Sequence, residues 1–228
     1  MKKLSLSPRY YSSLNASWKE GIPASVMMTL TDYYVIPLGL LLGASAQQIG
    51  FLVAFPNLLA SVAQLFAVKL VDLLGSRLRF LVKGVLLQAI LLIPVAFLPF
   101  LDIPHKIEIF IGLIVLFRII GNLIGTVWGS LASDYLPAEE RGRYFGWRAQ
   151  VNGISGIIGL GLGGVLLFAL KTISPAFGFF ILFILTAVAR FWSGYFMSKM
   201  EDIPLQHKEG QFTFFHFLFR MRKSNFSK

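Results

Sequence analysis

Two residues of opposite charge, Asp32 and Arg118, lie deep inside long apolar runs of the sequence. In hydrocarbon an ionisable side chain is costly, so it normally faces a cavity and takes a partner. A carboxylate and a guanidinium brought together there offer one of two things. They form a pair that a proton or an anionic solute can open, or they form a static ion pair that fixes helix packing. Tyr33, Tyr34, Asn57, Gln64, Asn122 and Trp128 lie in the same runs and are the polar or aromatic groups able to line such a cavity. For each, a packing or interfacial role is the plain alternative. Arg190 is a third charge within an apolar run, and its long stem favours snorkelling toward the nearer interface over a role in a site.

Two further clusters lie between runs. The stretch "SDYLPAEERGRYFGWR", Ser133 to Arg148, places Asp134 before Pro137 and the triplet Arg141, Gly142, Arg143. The stretch "VDLLGSRLR", Val71 to Arg79, places Asp72 before Gly75, Arg77 and Arg79. Each is a solvated turn that anchors the chain by its arginines. Each also sets an acid near a planar arginine fork, the geometry of a charged latch between helix ends.

Other chemistries lack their parts. "GLGLGG", Gly159 to Gly164, fits G-x-G-x-x-G, but a dinucleotide site needs a preceding strand and an acid about 20 residues later. The next acid is Glu201. Gly153, Gly156, Gly159, Gly163 and Gly164 instead recur at the spacing that lets two helices approach closely in a membrane. With 0 cysteines there is no disulfide and no thiolate metal site. No paired nucleophile and base, zinc pattern or phosphate loop is present, so no enzyme, metal or cofactor is expected. The net charge of +10 is scattered in short clusters between apolar runs and does not form one basic face, which argues against nucleic acid.

The elements that must position these groups follow from composition. Hydrophobic residues make up 56% and charged residues 14% of 228 residues, too little polar material for a water-facing shell. A membrane-spanning helix needs about 20 apolar residues at about 1.5 Å rise each. Six segments qualify: Gly21–Gly43, Gln47–Leu70, Leu78–Leu101, Ile107–Ser133, Tyr144–Leu170 and Pro175–Met200. Short connections such as "GASAQQ", "LDIPHK" and "KTISP" make neighbours antiparallel. With the N-terminus in the cytoplasm, only Lys106 and Lys171 fall outside and only Arg118 and Arg190 deep within spans; every other Lys and Arg lies in a cytoplasmic segment or at the cytoplasmic end of a span. Both termini are then inside, and a cleaved signal peptide is not expected because the first apolar run is too long. The expected organisation is a cytoplasmic segment over residues 1–20, a six-helix bundle over 21–200, and a cytoplasmic amphipathic linker over 201–228. Asp32 and Arg118 each lie about twelve residues into their spans, near the midplane from opposite surfaces, as two inverted three-helix repeats would place them.

The two inter-span clusters resemble those of the major facilitator superfamily. Asp72, Gly75, Arg77 and Arg79 are similar to its signature loop G-x-x-x-D-R-x-G-R-R between spans two and three, with Val68, Leu73 and Ser76 departing from it. Asp134, Arg141 and Arg143 are similar to its loop between spans four and five. Arg118 resembles its fourth-span arginine. Gly159, Gly163 and Gly164 match the fifth-span G-P-x-x-G-G of its antiporters, with Leu160 in place of the proline. The resemblance implies an all-α membrane protein that forms half of a twelve-helix fold. It implies a secondary transporter working by alternating access in the cell membrane, with a small-molecule solute and a proton or sodium ion as partners. It makes Asp72, Gly75, Arg77, Arg79, Asp134, Arg141 and Arg143 parts of a cytoplasmic gate. The linker would lead toward a seventh span, and a second six-helix half is an expected partner. The alternative is a truncated, non-transporting fragment or scaffold.

Overall fold

The computed structural model describes residues 8–204, and these form an antiparallel bundle of helices without strands among the described residues. The elements are α1 (Pro8–Leu41), α2 (Ala46–Gln64), α3 (Ala67–Leu74), α4 (Arg77–Phe97), α5 (Lys106–Asp134), α6 (Ala138–Leu170) and α7 (Pro175–Met197). A 3₁₀ turn, Leu98–Phe100, extends α4. Six helices are long and apolar enough to span a bilayer, as composition predicts. The basic linker residues Arg220, Arg222, Lys223 and Lys228 lie outside the described residues.

Helix ends fall where local chemistry stops them. Ser45 caps α2 through a reciprocal bond with Gln48, and Ser76 and Ser174 cap α4 and α7 by accepting from the third residue of each helix. Gly75 ends α3 at φ 65°, a left-handed conformation that a side chain would strain. Pro137 immediately precedes α6.

Two boundaries differ from the sequence expectation. The second span is not one helix to Leu70. Leu65 and Phe66 tighten to bonds three residues back, on Val62 and Ala63, and α3 restarts at Ala67. Asn57 and Ser61 turn their side chains onto carbonyls four residues back, a habit that bends helices. At the other end, α1 begins at Pro8, so Glu20 is held in the helix and does not lie in a polar leader.

The packing repeats itself under inversion. α1 lies against α6 and α7, α5 lies against α2 and α4, and α4 lies against α7. Exchanging α1 with α5, α2 with α6, and α4 with α7 returns the same set, which is the three-plus-three repeat. Two apolar clusters fill the interior. One contains Leu38, Leu92, Phe110, Ile114 and Phe183; the other contains Leu81, Val85, Leu131, Tyr135 and Met197. Along α4, Gln88 falls between Val85 and Leu92, and along α7, Arg190 falls between Ala187 and Met197. A polar layer therefore separates two dry ones.

The α1–α6 seam depends on small residues. A Cβ on Gly156 would come within 2.5 Å of Thr29, one on Gly159 within 2.9 Å of Val26, and one on Gly163 within 2.8 Å of Leu30. A Cβ on Gly164 would come within 3.2 Å of the Tyr34 hydroxyl, whereas one on Gly153 would meet open space. The opposite face of α6 exposes Ile157, Leu162, Val165 and Phe168, an apolar surface that hydrocarbon accepts and water does not.

Candidate functional site

The polar layer opens into a cavity of about 530 Å³ to which all six long helices contribute. That volume lies in the range of small-molecule sites, about 300–1,000 Å³. α1 and α5 supply most of its wall, from Glu20 to Thr31 on one and from Phe117 to Trp128 on the other.

Arg118 lines this cavity and forms an ion pair with Asp32. The side chains are 28% and 43% exposed, so the pair is open on one side. The two residues stand on α1 and α5, which the inverted repeat relates. Asn122, one turn along α5, accepts from Gln64 at 2.8 Å and ties α2 to α5 at the cavity edge.

A second charged group lies toward the α6 start and is far more enclosed. Glu20 is 3% exposed. Its Oε2 accepts from Arg148 at 2.8 Å, and its Oε1 accepts from Ser193 at 2.9 Å, with Arg190 at 3.9 Å. Arg190 donates from Nε and Nη2 to Gln88 Oε1, at 3.0 and 2.5 Å, and from Nη1 to Ser193 at 3.1 Å. Gln88 then donates to the Phe117 carbonyl at 2.9 Å. Gly121 leaves room for that reach, since a Cβ there would meet Gln88 Nε2 at 2.8 Å. A continuous hydrogen-bonded chain thus runs from α6 through α1, α7 and α4 to α5.

Arg148 also stacks on Trp128, its guanidinium carbon 4.0 Å from the ring centroid. With its amide oriented to satisfy both neighbours, Asn152 accepts from Arg148 and donates to the Gly21 carbonyl, each at 3.2 Å. Trp128 Nε1 is buried and has no hydrogen-bond partner among the described residues.

The expectation for Arg190 is therefore corrected. It does not snorkel to an interface. It is 4% exposed and turns inward, because Gln88, Ser193 and Glu20 offer acceptors within reach. Tyr34 does not line the cavity; its hydroxyl donates to the Leu160 carbonyl at 2.9 Å and fastens α1 to α6. Tyr33 is 62% exposed and lies outside the cavity wall. Asn57 serves its own helix. Asn122, Trp128 and Arg118 do line the cavity.

At the end of the bundle that carries both charged turns, Arg77 is buried and Asp134 is half-exposed, and they pair at 2.6 Å. Arg77 also donates to Ser130 at 2.9 Å and to the Ile203 carbonyl at 2.7 Å. The fork thus joins α4, α5 and the segment after α7. The Asp202 carboxylate accepts from the Leu78 amide at 3.1 Å, and the Tyr135 hydroxyl donates to the Glu201 carbonyl. Burial pushes the Tyr135 phenol above its ordinary pKa, so it remains a donor at physiological pH. Arg141 donates to the Ser133 and Leu136 carbonyls, closing the α5 C-terminus. Arg143 pairs with Glu140 on its own helix, and Arg79 is exposed.

Glu20, Gln88, Arg148, Asn152 and Ser193 are the site residues that pattern alone misses. Glu20 reads as part of the polar segment before the first span, and Arg148 as part of the polar cytoplasmic end of the fifth. Only a recount of helix length, starting α1 at Pro8, could have drawn Glu20 inside.

Among curated proteins and among solved structures, none matches the chain. The family model of the Major Facilitator Superfamily matches residues 22–225, which takes in the second part of α1 and every later helix. With six apolar helices in an inverted repeat and that match over most of its length, this multi-pass membrane protein belongs to the Major Facilitator Superfamily, a family of membrane transporters, and forms a six-helix half of its fold.

Proposed function

We propose that this chain is the N-terminal half of a secondary transporter in the cell membrane, which moves a small solute by alternating access. The carrying observation is the Asp32–Arg118 pair: opposite charges on repeat-related helices, one of them lining the cavity, and both still partly open. Protonation of a carboxylate oxygen of Asp32 would cancel its charge and release Arg118; a coupled cation beside Asp32, or a solute anion beside Arg118, would also weaken the pair. Each event changes the energy of one bundle arrangement relative to another, which is what coupling requires. A proton is the simplest driver, and sodium is the alternative.

The distribution of basic residues supports cytoplasmic termini. On that orientation Arg77, Asp134 and the segment through Ile203 form a latch on the cytoplasmic side, made in one arrangement and broken in the other. Asp72, Gly75, Arg79, Arg141 and Arg143 shape the same layer, Gly75 through its turn and Arg141 through the helix end it closes. A second six-helix half would complete the pathway across the cavity's open side.

The absence of cysteine makes the test clean. A single Gly125→Cys reporter in the cavity wall is labelled with an impermeant maleimide from each side of oriented membrane vesicles. Alternating access predicts labelling from both sides, with Asp32→Asn shifting the ratio of the two rates by about threefold or more. Labelling from one side only, or a ratio unmoved by Asp32→Asn, overturns the proposal.

A further inference from the structure

The cavity's charges do not balance. Around it stand three guanidiniums, Arg118, Arg148 and Arg190, and two carboxylates, Glu20 and Asp32. Asp32 answers Arg118. Glu20 alone answers both Arg148 and Arg190. One positive charge is therefore left without a counterion among the described residues, between two apolar layers of a membrane protein. A purely structural cluster gains nothing from such an excess, because an uncompensated buried charge is strongly unfavourable.

The excess can be located. Arg190 is almost fully enclosed: its nitrogens are taken by the neutral groups of Gln88 and Ser193, and Glu20 lies 3.9 Å away. Both Glu20 oxygens are also taken. Arg148 is the more open of the two guanidiniums and lines the cavity; its Nη2 pairs with Glu20 at 2.8 Å, its Nε donates to the Ser17 carbonyl at 3.2 Å, and its Nη1 meets the neutral oxygen of Asn152. Beside it, Trp128 lines the same cavity with its ring, while its indole N–H is buried and has no hydrogen-bond partner among the described residues. A guanidinium that shares its one carboxylate with a second guanidinium, and that stacks on an indole at the cavity wall, makes a site for an oxygen-bearing anion.

We infer that the solute is a small monovalent organic oxyanion, received by Arg148 and Trp128, with Asn152 positioning the guanidinium. This rests on the proposed function only in taking the cavity as the solute site. One negative charge neutralises the cluster. A neutral solute leaves the cluster's excess charge in place, and a cation adds a second positive charge.

The test reads the cavity directly. In the full chain in detergent, Trp18→Phe, Trp147→Phe and Trp192→Phe leave Trp128 as the sole indole, and circular dichroism checks that the helices persist. Fluorescence is quenched with iodide, caesium and neutral acrylamide. The inference predicts iodide quenching about fivefold stronger than caesium quenching, since a cavity of one sign concentrates counterions. Benzoate should protect against iodide, and benzamide should not. Asn152→Asp sets a carboxylate against Arg148, leaves the arginines in place, and should bring iodide and caesium to parity with acrylamide quenching unchanged. Equal iodide and caesium quenching in the parent, protection by benzamide as good as by benzoate, or an iodide preference that survives Asn152→Asp each overturns the inference. None of these readings involves movement between two arrangements, so an anion-selective cavity that fails the maleimide test would sink the transport proposal alone.

Discussion

Two guanidinium–carboxylate groups share one cavity, and they differ mainly in enclosure. Asp32 and Arg118 form a simple pair, 43% and 28% exposed. Glu20, Arg148 and Arg190 form a shared cluster with side chains 3%, 13% and 5% exposed, backed by Gln88 and Ser193. The same chemistry has opposite consequences in the two places. Enclosure makes the cluster expensive to break, so it holds four helices at fixed spacing and presents a fixed charge. Exposure makes the pair cheap to break, so it suits a group that must open and close.

The comparison fails first at Glu20 if it fails anywhere. Glu20→Ala leaves two enclosed guanidiniums without a counterion, a change that typically costs about 3–5 kcal/mol. Most of the variant should be lost as monodisperse protein in detergent. Recovery at the parent's level, with a parental unfolding temperature, would show that the cluster is not holding the bundle.

Arg77 offers an intermediate case, since it is buried but its partner Asp134 is half-exposed. Arg77→Gln removes charge-assisted bonds to Asp134, Ser130 and the Ile203 carbonyl. Bonds of this kind contribute about 1.5–3 kcal/mol each at most, so a moderate fall in denaturant resistance is expected. The 201–203 segment should also become accessible, read as faster labelling of an Ile203→Cys reporter. Unchanged labelling would remove that segment from the latch.

The smallest effect on stability belongs to Asp32. Asp32→Asn should shift the unfolding free energy by about 1 kcal/mol or less, as partly exposed ion pairs generally do. If it destabilised the bundle as much as Glu20→Ala, the contrast between a holding cluster and a switching pair would vanish.

Much of the fold was legible because hydrocarbon leaves few options. Spans must be helical, about 20 residues long and apolar, and the chain shows six such runs. The charged turns had to leave the apolar layer. The break at Leu65 and Phe66 was not legible, because the sequence there is as apolar as in an unbroken helix. Asp32 and Arg118 stood out as charges in apolar runs. Arg190 stood out equally and was misassigned, because α7 is apolar around most of its circumference and gave no sign of which face meets Gln88. The glycine row was visible, yet only packing separates Gly159, against Val26, from Gly153, beside nothing.

By itself the sequence determined the solvent of this protein, the number of its crossings and the ends at which its charges emerge, since all three follow from the free energy of moving each segment out of water. Only the tertiary structure decided which charges meet. Glu20 finds Arg148 across 128 residues of chain, and Gln88 finds Arg190 across 102. Those meetings depend on helix rotation and on the close α1–α6 approach, and neither quantity is written in the hydropathy of any one span.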